Sequence, residues 1–398
     1  MTLADWLQRI EQYHPSEIEL GLDRLRHVWQ AMNCRVDATV VTVAGTNGKG
    51  STCAYIDALL TEHGLYTGRY SSPHFHQFNE RILIDGQPVD DATLVAAFEH
   101  VDRARGDIPL TYFEFTTLAA FYCYWQAEVE VWILEVGLGG RLDAVNLLDA
   151  DVAVLTSVGL DHQDYLGDTL EAIGREKAGI CRFARPFVIG LASPPESVLR
   201  VAEQTDAEVL LRDLHFGDTD SGVYVGEQTF TVPKLNLPRI NVATAMQAAQ
   251  RLVDLEPALV SKALAKAALI GRMQTISWQG QTVTLDVAHN PEAATNLAQQ
   301  LAGSSFAVVF AGLVDKDLAG VVSALQPVAD TWHLAGLDVP RGLSAQGLAE
   351  RTGLAADLYA TPQLALEGAL RTGKNVLVCG SFFTVSAALS WLSNPTKD

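Results

Sequence analysis

Residues 40–51 read Val-Val-Thr-Val-Ala-Gly-Thr-Asn-Gly-Lys-Gly-Ser, and no other run constrains the fold as strongly. A β-branched apolar segment stops at a glycine-rich turn. A lysine and a hydroxyl then open an amphipathic stretch from Thr52 to Glu62. Strand, glycine loop, lysine, hydroxyl and helix in that order form a phosphate cradle. Glycines let backbone N–H groups approach an anion, and the helix N-terminus adds partial positive charge. Lys49 neutralises phosphate, and the Ser51 hydroxyl can reach a bound Mg²⁺. The spacing departs from the common G-x-x-x-x-G-K-[ST]: glycines stand at 45, 48 and 50, and Gly50 separates the lysine from the serine. The bland alternative is a glycine-rich turn that binds nothing. With strand, lysine, serine and helix in register, the pattern points to a nucleoside triphosphate.

A chain of 398 residues predicts about two or three domains, and 48% apolar residues suit a globular fold. The formal charge of −19 argues against nucleic acid and anionic membrane as partners. A triphosphate is itself an anion, so lysines, arginines and metal ions must gather locally at its site. Cysteines at 34, 53, 123, 181 and 379 are scattered and form no C-x-x-C, which predicts free thiols in a reducing compartment. The N-terminus has no basic stretch followed by an apolar one, and no apolar run reaches membrane-spanning length. These features predict a cytoplasmic protein.

Helical patterns are expected over the first 35 residues, over 91–103 and over 113–126. Buried strands are expected at 131–136 and 152–157. Alternating strands and helices predict a parallel sheet covered on both faces. From about 187 to 231 the pattern changes, with 187–190, 209–211 and the alternating 223–232 strand-like. Helices follow over 240–252 and 257–268. A new βα series then starts, with strands at 282–287, 306–310, 330–334 and 375–379. The expected organisation is a first domain over 1–272 and a second over 280–398, with the break near 272–280.

Four clusters beyond the cradle carry reactive side chains at strand ends, where α/β ligand sites form. Glu135 ends an apolar strand and precedes the loop Gly137-Leu138-Gly139-Gly140-Arg141-Leu142-Asp143. A carboxylate there is costly unless paired or metal-bound. It is a Mg²⁺ ligand candidate or a partner of Arg141. Asp161-His162 follows the 152–157 strand and is either solvated or part of the same site. Gly174-Arg175-Glu176-Lys177-Ala178-Gly179 reads, on charge pattern alone, equally well as a solvated helix face. Asp286-Val287-Ala288-His289-Asn290-Pro291 places an acid and an imidazole just past a strand; the alternative is a helix cap and a surface histidine.

Taken in order, these segments resemble the folylpolyglutamate synthase/dihydrofolate synthase branch of the Mur ligase superfamily. The matching stretches are 44–51, 70–74 with Glu80-Arg81, 111–116, 133–146, 161–181, Gly271-Arg272, 286–291, 315–317 and 379–384. The resemblance implies a P-loop-type parallel-sheet ATPase domain with a small β-rich subregion, followed by a smaller Rossmann-like α/β domain. It implies ATP-dependent ligation of L-glutamate to 7,8-dihydropteroate and to reduced folates through an acyl phosphate.

The resemblance also implies roles for individual residues. Thr46, Asn47, Gly48 and Lys49, with Gly50 and Ser51, match the triphosphate cradle. Ser72 and Glu135 match ligands of one Mg²⁺. Glu135, His162 and Lys177 match those of a second, with the lysine carbamylated. Asn241 matches an adenine contact, Arg272 an arginine on the phosphates, and Asp286 a nucleotide contact. His289 and Ser381 match positions near the nucleotide or the incoming glutamate. Tyr13, His14 and Pro15, Thr111, Tyr112, Phe113 and Glu114, and Leu142, Asp143 and Ala144 match the dihydropteroate pocket. Tyr112 and Phe113 have the aromatic character that suits a flat pterin. The implied site lies in the cleft between the domains of a monomer.

Other readings are a polyglutamylating enzyme only, another Mur-type amino-acid ligase, a GTP switch or an inactive nucleotide-binding module. The sequence has no N-K-x-D for reading guanine, and it keeps Lys49, Glu135, His162, Lys177 and Asp286 together.

Overall fold

The apolar run before the cradle forms a strand, Thr39–Ala44 (β1), in the middle of an eight-stranded sheet. The structure, a computed structural model, describes residues 1–393 apart from 17, 220–221, 234, 236–238 and 268. The chain divides into two compact units, Met1–Ala268 and Leu269–Asp398.

The first sheet also contains Thr67–Tyr70 (β2), Ile82–Ile84 (β3), Gln87–Pro88 (β4), Val131–Glu135 (β5), Val152–Leu155 (β6), Pro186–Ile189 (β7) and Glu208–Leu211 (β8). Its order is β4-β3-β2-β5-β1-β6-β7-β8. From β2 to β8 all neighbours run parallel, and β3 and β4 add an antiparallel edge. The residues of β5 and β6 are buried throughout, as a sheet covered on both faces requires. β1 sits between β5 and β6, while its successor β2 lies beyond β5. The winding therefore reverses at β1, and a crevice opens past its carboxyl end. The cradle occupies that position.

The helix after the cradle runs Lys49–Glu62. Its expected amphipathic character is not what the structure shows. Ser51 through Asp57 are buried without a break, as are Leu59 and Leu60. The reason is packing on two sides: β1, β2 and β5 lie against it, and so do the helices Arg239–Gln250 and Pro257–Lys266. Small residues such as Gly50, Ser51, Cys53 and Ala54 let those neighbours approach closely.

The opening residues form two helices, Leu3–Ile10 and Asp23–Met32, rather than one helical stretch. Leu7, Ile10 and Leu22 pack into the core, while Ile18 and Leu20 lie outside both helices. The alternating, strand-like segment 223–232 is a hairpin. Gly222–Val225 (β10) turns at Gly226, with φ +58°, into Gln228–Thr231 (β11). With Phe216–Asp218 (β9) these strands make a small antiparallel sheet.

The second unit holds Gln274–Trp278 (β12), Gln281–Leu285 (β13), Phe306–Phe310 (β14), Ala329–Ala335 (β15), Asp357–Tyr359 (β16) and Val376–Cys379 (β17). The order is β12-β13-β17-β14-β15-β16, parallel except for β12. β12 lies within residues 272–280, where the sequence pattern breaks, and pairs with β13 in this unit. β12 and β16 are edge strands of weak apolar periodicity, so the pattern did not announce them. Here too the winding reverses: β13 and its successor β14 flank β17.

Candidate active site

The cradle is pinned from β6's end of the sheet. Thr46 N–H donates to Ser157 O at 3.1 Å, and Thr46 Oγ1 exchanges hydrogen bonds with the Gly159 backbone. Thr156 Oγ1 and Ser157 Oγ both donate to Asn47 O, at 2.6 and 3.0 Å. Asn47 N–H donates back to Ser157 Oγ at 2.8 Å. Sequence reasoning missed Thr156 and Ser157; their only signal is a hydroxyl pair just past an apolar strand. Gly45 is required where it stands, because a Cβ would lie 1.9 Å from Thr156 Oγ1. Gly48, with φ +85°, caps the helix.

Lys49 folds back over the loop and donates from Nζ to Gly45 O at 2.9 Å and Thr46 O at 3.4 Å. Ser51 Oγ donates to Gly48 O at 2.9 Å and accepts from Asn241 Nδ2 at 2.8 Å. A Cβ on Gly48 would meet Asn241 Oδ1 at 2.9 Å. The Asn241 side chain thus rests on the phosphate loop.

Glu135 ends β5 and is only 6% exposed. Its Oε2 accepts from Ser72 N–H at 3.4 Å, and a Cβ on Gly50 would lie 3.5 Å from the same oxygen. Gly50, the residue that makes the cradle's spacing unusual, therefore faces the carboxylate. Arg141, the other partner weighed for Glu135, donates to Glu176 at 2.9–3.2 Å. His162 adopts φ +51° at the start of the short helix Gln163–Leu166, with Asp161 Oδ2 4.0 Å from its Nε2.

Lys177 lies in the last turn of the helix Leu170–Ala178 and is 5% exposed. The solvated-face reading of this segment fails at this residue. Burial, and then the positive charge of Lys49, push the Lys177 ammonium down to about 7 against the pull of Asp161 and Asp143. Among the described residues, no hydrogen bond or ion pair holds its Nζ. Asp143 is buried as well, and burial raises its carboxyl to about 6 although the N–H groups of Leu138 and Val145 donate to it. Cradle, Glu135, Lys177 and Asp143 thus form one electrostatic neighbourhood within the first unit.

The remaining expected pocket residues divide into two groups. Phe113 lies tilted against Tyr70, ring centroids 5.9 Å apart, and fills the space over Gly137, whose Cβ would lie 2.6 Å from Phe113 Cζ. Tyr112 lies against Phe78 and under the Arg81 guanidinium, 5.6 Å from its ring. Leu142 and Ala144 flank Asp143 in the loop after β5. Thr111 and Glu114 are occupied with structure: they form a capping box for the helix Tyr112–Gln126, and Glu114 pairs with Arg24 at 2.9 Å. Tyr13 donates to Asp102 at 2.9 Å under the Arg105 guanidinium, and His14 lies 3.1 Å from Glu19. Pro15 follows without an element of its own.

In the second unit, Asp286 is 8% exposed and accepts from Met273 N–H and Ala288 N–H, both at 2.9 Å. Burial raises its carboxyl, opposed chiefly by Arg272. The Arg272 guanidinium stands 5.4 Å over the Phe382 ring. His289 Nδ1 is 3.0 Å from Val287 O. Ser381 Oγ and Thr384 Oγ1 are 2.7 Å apart, and Thr384 Oγ1 donates to Ala311 O. These residues gather past the carboxyl ends of β13, β17 and β14.

Two family domains match the chain: the Mur ligase middle domain over residues 43–210, and the Mur ligase, glutamate ligase domain over residues 271–382. The dihydrofolate synthase/folylpolyglutamate synthase of Escherichia coli (strain K12) is 42% identical over 96% of this chain and 94% of its own length. The chain belongs to the dihydrofolate synthase/folylpolyglutamate synthase branch of the Mur ligases. Its architecture is that of solved members of the branch. E. coli FolC in complex with DHPP and ADP superposes with a TM-score of 0.94 at 38% identity, covering 99% of this chain and 98% of that one. A bifunctional folylpolyglutamate synthase/dihydrofolate synthase with Mn, AMPPNP and L-glutamate bound gives 0.93 at 40% identity, covering 99% and 98%. As in the expected fold class, a large parallel-sheet domain precedes a smaller α/β domain. Among the described residues, no helix of this Mur ligase is long and apolar enough to cross a membrane.

Proposed function

We propose that this Mur ligase joins the amine of L-glutamate to the carboxylate of 7,8-dihydropteroate and of reduced folates, at the expense of ATP. The observation that carries the reading is the buried Lys177 beside the Lys49 cradle, poised between charge states near neutral pH. Lys49 would exchange its contacts with Gly45 O and Thr46 O for phosphate oxygens, and Arg272 would serve the phosphates and Asp286 the nucleotide. Asn241 would hold Ser51 and the loop, and through them the nucleotide. The substrate carboxylate attacks the γ-phosphorus and ADP leaves, giving an acyl phosphate. The glutamate amine adds to the acyl carbon, phosphate departs from the tetrahedral intermediate, and the proton lost from the amine nitrogen leaves with the phosphate. Cations near the transferring group offset the repulsion of two anions.

Among the described residues, no three His, Cys, Asp or Glu side chains converge as a metal site. The available set suits a hard cation only if Lys177 contributes oxygen. With its amine near 7, Lys177 has a substantial neutral fraction at physiological pH. That amine can attack CO2: an N–C bond forms, one C=O pair moves to oxygen, and a proton leaves to solvent. A buried cation becomes a carbamate anion. Ser72 and Glu135 would then hold one Mg²⁺, and Glu135, His162 and the Lys177 carbamate a second. The ions would supply charge neutralisation at the phosphates.

Asp143 would present its carboxylate to ring N–H donors of the pterin, with Phe113 and Tyr112 offering aromatic faces. Tyr13, His14, Pro15, Thr111 and Glu114 would shape this pocket through the contacts described above. His289 and Ser381 would serve the nucleotide or glutamate. The residues 1–272 would thus carry nucleotide and pterin, and 280–398 the glutamate-ligase role. The five free cysteines fit work in the reducing cytoplasm, and the enzyme would act as a monomer. ADP release measured with dihydropteroate plus glutamate, against tetrahydrofolate plus glutamate, tests the reading. No glutamate-dependent ADP release with either would overturn it.

A further inference from the structure

The helix that carries Lys177 ends against the loop that follows Glu135, and the contact between them is unusually dense. Arg141 N–H donates to Glu176 O at 2.8 Å, and the Arg141 guanidinium clasps the Glu176 carboxylate. There is no room between the two backbones. A Cβ on Gly140 would lie 2.8 Å from Lys177 O and 2.9 Å from Glu176 O, and one on Gly179 would lie 2.5 Å from Arg141 Cβ.

One buried amide spans this seam. Asn146 Nδ2 donates to Arg141 O at 3.0 Å on the loop side and to Gly179 O at 3.2 Å on the helix side. Its Oδ1 accepts from Arg182 Nη2 at 2.9 Å. Arg182 Nη1 in turn reaches the carbonyls of Gly179, Ile180 and Cys181 at 3.0–3.3 Å, and its Nε pairs with Asp149. The carbonyls at a helix C-terminus lack partners within the helix. Here the Arg141 N–H meets Glu176 O, and the Asn146 and Arg182 side chains meet the carbonyl of the cap residue Gly179. The same loop holds Asp143, whose backbone N–H and C=O bond to Gly140 and Asn146.

We propose that Asn146 and Arg182 are positioning residues: they lock the Lys177 helix to the Gly137–Asn146 loop and so set where Lys177 stands relative to Glu135 and Asp143. Neither needs to touch a substrate. The test rests on the Lys177 carbamate reading given above, and its arms separate the two ideas. A loosened clamp lets Lys177 sample other positions, so both the carbamate population and turnover fall while nucleotide binding on the cradle persists. Side chains that orient a metal ligand are worth about 10–100-fold in activity when removed.

The experiment uses the full chain, wild type, Asn146→Ala, Arg182→Lys and Lys177→Ala, with folding checked by thermal denaturation. ¹³C-labelled bicarbonate reports the carbamate by NMR, and steady-state kinetics report kcat and KM for ATP. In wild type a carbamate signal that is lost in Lys177→Ala is expected. Asn146→Ala should lower kcat by about 10–100-fold, leave KM for ATP within about threefold, and weaken the carbamate signal at equal bicarbonate. Arg182→Lys keeps the charge but loses the planar fork, and should show the same pattern at smaller amplitude. Folded Asn146→Ala with wild-type kcat would overturn the clamp. If Asn146→Ala does not fold, wild-type kcat and carbamate signal in Arg182→Lys would overturn it instead. A wild type with no Lys177-dependent carbamate, together with a kcat-only loss in the clamp variants, would support the clamp and reject the carbamate.

Discussion

The crevice past β1, β5 and β6 and the crevice past β13, β17 and β14 share a topology. Each lies where the winding of a parallel sheet reverses, and each collects polar side chains from the loops at strand ends. They differ in what those side chains do. In the second unit the polar groups are largely spent on their own loops: Asp286 on the N–H groups of Met273 and Ala288, Ser381 on Thr384, His289 on Val287. In the first unit Lys177 is buried with nothing to hold its ammonium among the described residues, and its proton is loosened to about 7. A buried polar group that is satisfied shapes a loop; one left unsatisfied is costly unless chemistry uses it.

The sharpest way to break this contrast is at the cradle. Lys49→Ala should lower kcat by about 10²–10³-fold or more with the melting temperature little changed, because the residue touches only two loop carbonyls. Near-normal ADP release would sink the assignment. Lys177→Ala should cost about 100-fold, with partial recovery on adding short carboxylic acids that restore an anion. The intact enzyme should also show a pH signature. Below about 7 the Lys177 amine is protonated and has no lone pair for CO2; above it the amine is neutral. At fixed dissolved CO2, turnover should therefore rise as pH goes from about 6 to 8. A flat profile would count against an unspent lysine.

The second unit should respond in stability as well as in chemistry. Asp286→Ala strands two backbone N–H groups, and urea denaturation should show a loss of about 1–3 kcal/mol. A fall in activity as large as that of Lys49→Ala, with stability unchanged, would show that Asp286 is not spent on its loop. A last contrast, ending on the smallest effect, separates two glycines of the cradle. Gly45→Ala drives a Cβ toward Thr156 Oγ1 and should cost about 1–3 kcal/mol. Gly50→Ala meets Glu135 at ordinary contact distance and should leave stability within about 0.5 kcal/mol.

Much of the fold is legible where the signal is local. The runs at 131–135, 152–155 and 306–310 are apolar, β-branched and bounded by turns, and they form strands. β12, β16 and β9 escaped because short edge strands have little apolar periodicity to read. The hairpin at Gly226 shows in the sequence only as a change of parity, with apolar Val223 and Val225 at odd positions before the turn and Phe230 and Val232 at even positions after it. Helix Lys49–Glu62 read as amphipathic since the pattern cannot say how many neighbours will cover it. Within the site, Lys49 announces itself through its glycines. Thr156, Ser157, Asn146 and Arg182 do not, because a hydroxyl, an amide or an arginine near a loop is ordinary until its partners are known.

Chemistry carried by contiguous residues is legible in the sequence alone: a strand, a glycine loop, a lysine and a helix start bring together backbone N–H groups, a helix end and a cation, the features that suit an anion. The proton on Lys177 was decided only by tertiary structure. Its segment is as charged as any solvated helix face, and nothing local would loosen an ammonium. Burial beneath the loop after β5, with Lys49 brought close by the packing of a different helix, does so, because both desolvation and Coulomb repulsion depend on distance in space rather than along the chain.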